Sequence, residues 1–365
     1  MSDVLIYADT VRSPELRHEI PISITDPFLY LERNGDRHVV IGSLELPRAR
    51  ELPGLQVHAL EEFGNDELVR SGLSRREVRD ELHARVCEAL GVRAVKVPGG
   101  FPLEVADALR RRGVELAADD ALFEQRRRVK NEHELAGIRR AQKAAEAGME
   151  AARALLRSGP IPVERVKAAI EERFSANDCT ADEFIVSHGP QSAIGHHAGD
   201  GEIAEGEPVV IDLWPRDRAS GCHADMTRTF VIGEPDDELR EWHRLCKVAL
   251  DRALGEIRAG VTGRSVYDGT CDLFERAGHL TQRTKPEGTP LEEGFFHSLG
   301  HGVGLEVHEA PSLGRLGEEL VAGDVVSVEP GLYRPGYGGC RLEDLVLVTE
   351  DGCENLTDFP YDLTP

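Results

Sequence analysis

The sequence is poor in cysteine: seven among 365 residues, at positions 87, 179, 222, 246, 271, 340 and 353, with no C-x-x-C pair. An odd, scattered set excludes both a disulfide framework and a cysteine zinc site, and it fits a reducing compartment. No stretch approaches the roughly 18 apolar residues of a membrane span. Met1–Thr10 lacks a basic n-region followed by an apolar core, so a cytoplasmic protein without a membrane partner is expected. Basic charge is scarce as well, with 43 Lys and Arg against 66 Asp and Glu and a net charge of −23. The one basic cluster of note, Arg126–Lys130, is short, and the acidic excess repels phosphate backbones, so no nucleic-acid partner is expected. No H-E-x-x-H occurs, which excludes a helix-borne zinc site of that kind. The glycines at 300, 302 and 304 lack the continuation and helix pattern of a dinucleotide fingerprint.

What is present suggests two domains, since the length allows two cores of ordinary size. Strand-like Pro27–Leu31 and His38–Ile41 flank an Asn34-Gly35-Asp36 turn. Helix-like Arg75–Leu90 and Leu103–Arg111 alternate with strand-like Val92–Val97 and Val114–Leu116. Residues 1–125 therefore read as a small α/β domain with no catalytic constellation. Phe123–Lys130 is polar and basic. Asn131 with Glu134 forms a capping box, opening a long helix that Gly159-Pro160 ends. Further helices are expected over Val163–Phe174, Glu238–Ile257 and Val266–Ala277.

One internal repeat bears on chemistry. Gly206-Glu-Pro-Val-Val-Ile-Asp212 and Gly323-Asp-Val-Val-Ser-Val-Glu329 each run from glycine through β-formers to a carboxylate. A second acid follows 13 residues after Asp212, at Asp225, and 14 after Glu329, at Glu343. Two hairpins with an acid on either side are implied, and strand alternation can turn all four acids to a common interior. Four buried carboxylates repel one another unless cations lie among them. The segment His297-Ser-Leu-Gly-His301-Gly-Val-Gly-Leu-Glu-Val-His308 offers a neutral ligand, with glycines that permit close backbone approach. Two divalent ions such as Mn²⁺, Co²⁺ or Zn²⁺ suit such a donor set. Ions about 3–4 Å apart can share one hydroxide and polarise a carbonyl, which describes a paired-metal hydrolase.

These blocks, with His196-His197, Ala224-Asp225-Met-Thr-Arg-Thr-Phe230, Val328-Glu329-Pro-Gly-Leu-Tyr333 and Arg341-Leu-Glu343-Asp344, resemble the pita-bread metallopeptidases (family M24). That family includes methionine aminopeptidase, aminopeptidase P and prolidase. The likeness covers about 130–360, and the smaller preceding domain points to the proline-specific branch. It implies an α+β fold: a pita-bread, creatinase/aminopeptidase-like catalytic domain over 126–365 behind a creatinase-like α/β domain over 1–125. By resemblance, Asp212 chelates one ion, Asp225 and Glu343 bridge two, and His301 and Glu329 hold the other. Glu329 also takes the proton from the water between them. His308 stabilises the oxyanion, His196 contacts the scissile amide, His297 lines the pocket after the scissile bond, and Arg341 supports the acids.

The implied activity is a dipeptidase that hydrolyses Xaa-Pro bonds, with two metal ions per subunit, Mn²⁺ foremost and Co²⁺ or Zn²⁺ as alternatives. Aminopeptidase P and a proline-specific carboxypeptidase are the nearest alternatives. A metal-free binding protein or creatinase-like enzyme is the rival of another class, disfavoured because all five ligands are present. The expected partners are proline-containing dipeptides or short peptides, and the expected assembly is a homodimer. The Asp212–Asp225 connection is longer than usual in the family. Asp217 is kept out of the ligand set because Ala224-Asp225-Met-Thr-Arg-Thr matches the family block and the tip is expected in solvent, where Arg216 and Arg218 are expected to bear on peptide-length selectivity by pairing with a substrate carboxylate. His188, His223 and Cys340 read as structural.

Overall fold

A computed structural model describes residues 3–365, so the first two residues of the Met1–Thr10 segment lie outside it. The chain divides into two compact units, one ending at Arg127 and the other starting at Arg128.

The first unit is built on a six-stranded mixed sheet. Its central strand, Val4–Ala8, pairs antiparallel with Phe28–Arg33 and parallel with Ala94–Val97. The expected hairpin is present, with Asn34 and Gly35 both at positive φ in the turn. The helices Arg75–Ala89 and Leu103–Arg111 follow the expected order. The polar, basic segment Phe123–Lys130, for which no element was expected, is largely helical, within Asp120–Arg128. Its Phe123 is buried, and Arg126 reaches Glu19 and Glu32, so tertiary partners satisfy part of its charge.

The second unit is two similar halves. In the first, helices Glu132–Leu156 and Val163–Ala176 pack Ile138, Ala145, Met149 and Phe174 against Val209, Ile211 and Phe230 of a three-stranded sheet. The long helix begins at the expected capping box, where Asn131 and Glu134 bond reciprocally. In the second half, helices Asp237–Glu256 and Gly263–Arg276 pack Leu245, Ala249 and Phe274 against Val326, Val328 and Val346 of a five-stranded sheet. Neither acid pair sits on a simple hairpin. The strands Val325–Val328 and Asp344–Val348 pair with each other, while the chain between them folds out as the ribbon Gly331–Arg334 and Gly338–Arg341.

Candidate active site

Strand alternation decides which side chains meet. In the strand Pro208–Leu213, Val209, Ile211 and Leu213 face the first half's helices, so Asp212 points the other way. Its cross-strand partner is Thr227, and Asp225 lies two residues earlier, on Thr227's face. Glu329 and Glu343 are the next pair beyond Val328 and Asp344 in the second half. The halves are stitched together at this point. Thr227 Oγ1 donates to Glu343 Oε2 at 2.7 Å, and the Glu343 amide donates to Thr227 O at 3.0 Å.

His301 joins them from the strand Gly300–Gly302. Its Nε2 lies 3.8 Å from Asp225 Oδ2 and 3.6 Å from Glu329 Oε1. The flanking glycines are needed for contact rather than for φ. A Cβ at Gly300 would sit 2.0 Å from Ser327 O, and one at Gly302 would sit 2.3 Å from Ala310 O.

The nine residues expected to act as ligands, catalysts or substrate contacts line one cavity of about 750 Å³: His196, Asp212, Asp225, His297, His301, His308, Glu329, Arg341 and Glu343. Trp214, Ile185 and Phe296 supply its apolar wall. Of the adjacent histidines, His196 lines it, whereas His197 Nδ1 accepts the Gly199 amide in a turn. The ring of His308 lies 4.1 Å from that of His301, centroid to centroid.

Three features modify the sequence reading. Asp217 is not at a solvent-exposed tip. Arg216–Asp217 pairs with Cys179–Thr180, and the Asp217 carboxylate, 2% exposed, takes both forks of Arg140 and two bonds from Ser220. It stays out of the cavity because it is bound elsewhere. Neither Arg216 nor Arg218 lines the cavity among the described residues. Tyr333, to which the sequence assigns no role, is a bridge. Its Oη contacts His297 Nε2 at 2.9 Å and accepts from Arg341 Nη1 at 3.1 Å. A period-two step from Gly331 in the same block was the only sequence signal for it. His188 and His223 make structural hydrogen bonds, to Glu207 and to Trp214 O.

The site is short of positive charge. Four carboxylates face one guanidinium, Arg341, whose bonds go to Asp212 Oδ2 (2.6 Å), Thr227 and Tyr333. Burial, followed by the neighbouring acids, pushes the Asp225 and Glu343 carboxyls well above the usual range. Glu329 is pushed up to about 8, by burial first, with Arg341 opposing and Asp212 adding. Burial holds His297 and His301 down to about 3, so both are neutral. Asp212 Oδ1 is buried with no hydrogen-bond partner. Asp225, His301 and Glu343 each place a ligand atom within 4.8 Å of the others. Neutral imidazole, crowded carboxylates and an orphaned oxygen together form a donor set that fits divalent cations.

A model of metallopeptidase family M24 matches residues 136–350. A probable dipeptidase PepE of Mycobacterium tuberculosis is 36% identical over 271 residues, 73% of this chain and 68% of the relative. An Xaa-Pro dipeptidase of Pyrococcus furiosus is 33% identical over 248 residues, 67% of each. The crystal structure of an X-Pro aminopeptidase from Thermotoga maritima superposes with a TM-score of 0.83 at 25% identity, covering 100% of this chain and 97% of that one.

Proposed function

The chain belongs to metallopeptidase family M24, and from that premise we propose that it hydrolyses Xaa-Pro bonds at the amino end of short peptides, the Xaa-Pro dipeptide being the smallest substrate. The observation that carries this reading is the convergence of four carboxylates and His301 on one cavity. Asp212, Asp225, His301, Glu329 and Glu343 would hold two divalent ions, for which we propose Mn²⁺. Bound there, such ions polarise the scissile carbonyl and make a water acidic enough to attack near neutral pH.

The chain's own groups do the rest. Glu329 turns Oε1 towards His301 Nε2, which leaves Oε2 to receive the proton of the attacking water and pass it to the leaving nitrogen. His308 offers an N–H to the developing oxyanion, and His196, on the same cavity wall, orients the scissile amide. His297 is held through Ser298 O and Tyr333 and borders the space for the leaving proline. Arg341 fixes Asp212 and supports the acids' charge. The names of the Pyrococcus and Thermotoga relatives support the proline preference.

We propose further a homodimer in a reducing cytoplasm. All seven cysteines are free, and no helix among the described residues is long and apolar enough to cross a membrane.

The test is proline release from Xaa-Pro, and first-residue release from Xaa-Pro-Xaa, by metal-stripped protein re-supplied with Mn²⁺, Co²⁺ or Zn²⁺, with products weighed by mass spectrometry. Activity restored by metal, with about two ions per chain, is expected. Intact peptides under every metal would overturn the reading.

A further inference from the structure

A second, open cavity of about 370 Å³ adjoins the first and shares Phe296, His297, Ser298 and Ser312 with it. Arg315 and Leu316 border it from the turn that follows the strand Glu309–Leu313, and Gln282 borders it too. We propose that this cavity is a subsite for the peptide beyond the proline, in which Arg315 pairs with the free C-terminal carboxylate of an Xaa-Pro peptide three or four residues long. The inference rests on the peptidase reading above and adds a length and end-group preference to it.

Three observations carry it. The first is continuity: His297, which borders the space for the leaving residue, is a wall of both cavities. Gln282 Nε2 donates to Phe296 O at 2.7 Å, which pins the shared wall.

The second is reach. His301 stands opposite Ser312 in the strand register, and Arg315 lies three residues further on. At about 3.3 Å per residue that is at most about 10 Å from the level of the metal ligands. The carboxylate of a dipeptide lies one residue, about 3.5 Å, past the scissile carbonyl and stops short. One or two more residues, met by the extended arginine side chain, close the gap.

The third is charge. Among the described residues Arg341 is the only arginine lining the first cavity, and it is committed to Asp212, Thr227 and Tyr333. Arg315 is exposed and engages no carboxylate among the described residues. In a chain of net charge −23, an exposed arginine at the end of the continuous cavity is the cation left to meet a peptide carboxylate. Leu316, 92% exposed at the rim, offers apolar contact to the residue after proline.

The experiment compares Ala-Pro-Leu with its C-terminal amide on Mn²⁺-loaded wild type, Arg315→Ala and Arg315→Lys. In parallel, calorimetry measures binding of the products Pro-Leu and Pro-Leu-amide. Wild type is expected to favour the free acid by about tenfold in kcat/KM, mostly through KM, as a partly exposed charge-assisted bond would give. The ratio should fall to near one in Arg315→Ala and return largely in Arg315→Lys. A wild-type ratio near one overturns the proposal, and this holds even if Arg315→Ala is misfolded. So does a ratio that persists in a folded Arg315→Ala. If no Xaa-Pro peptide is cleaved, the peptidase specificity falls and calorimetry alone decides the subsite. Arg315-dependent preference for Pro-Leu over its amide upholds it, and equal binding removes it.

Discussion

Arg341 donates from Nη2 to Asp212 Oδ2 at 2.6 Å, and the other oxygen of that carboxylate lies buried without a partner. One cation thus covers one edge of an acidic cluster and leaves the other edge for a second cation. Arg341→Met should therefore cost the metal-free protein roughly 3–5 kcal/mol of unfolding free energy, as expected when one member of a buried charged set is deleted. Mn²⁺ should recover more stability in the variant than in wild type. Urea unfolding with and without chelator measures both; equal metal effects would show that Arg341 does not compensate these acids.

Glu329→Gln keeps an oxygen for the proposed ions but removes the proposed proton acceptor. We expect kcat to fall by about 10²–10⁴ while peptide binding persists. Asp217→Asn, at an acid bound to Arg140 away from the cavity, should leave kcat within about twofold of wild type. Steady-state kinetics of the two variants side by side would expose a wrong assignment if Asp217→Asn were the more damaging.

Tyr333→Phe removes the hydroxyl shared by His297 and Arg341. Leaving two buried polar groups short of a partner should cost about 1–3 kcal/mol of stability, and catalytic efficiency should drop about tenfold as His297 loses its restraint. Thermal unfolding and kcat/KM on one Xaa-Pro peptide are sufficient readouts. Wild-type efficiency in the variant would mean the bridge has no part in positioning.

Gly300→Ala should be severely destabilising, because its Cβ would meet backbone oxygen Ser327 O at 2.0 Å. We expect a loss of about 1–3 kcal/mol or more, with weakened metal uptake, since the strand carrying His301 must shift. Gly352→Ala, whose Cβ would meet nothing within 4 Å, is the control.

His83 links the first unit to acidity. Burial first, then Arg79, hold it down to about 4 from 6.5, with Asp80 opposing. Between those values the unfolded chain binds the extra proton. Stability is therefore full above about 6.5 and declines as pH falls towards 4, by up to about 1.4 kcal/mol per pH unit. His83→Leu should flatten that slope. Hydrogen exchange of the Val4–Ala8 and Ala94–Val97 amides from pH 4 to 7 reads it, and an unchanged slope would rule His83 out.

Much of this molecule was legible from local pattern. The Asn131–Glu134 capping box, the helix Leu103–Arg111 and the two acid-bearing strands depend on near neighbours and periodicity, and they stand where those signals put them. The repeat announced that the acids would meet because alternation fixes which face each side chain takes. What escaped depends on partners distant in sequence. Arg126 belongs in sequence to a short basic cluster, and its partners Glu19 and Glu32 lie about a hundred residues earlier. Asp217 looked like a loop tip because Arg140, 77 residues earlier, is invisible to any local window. Tyr333 gained its role only when the ribbon Gly331–Arg334 and Gly338–Arg341 placed it against His297.

The stitch between Thr227 and Glu343 spans 116 residues and joins the two halves at the site itself. No segment of the chain emerging early in synthesis holds a complete set of donors, and contacts this distant form late. Uptake of the proposed ions would consequently be a checkpoint on completed tertiary structure. Under the proposed function a half-folded chain would lack the complete donor set, and metal retention during refolding would report the moment at which the two halves join.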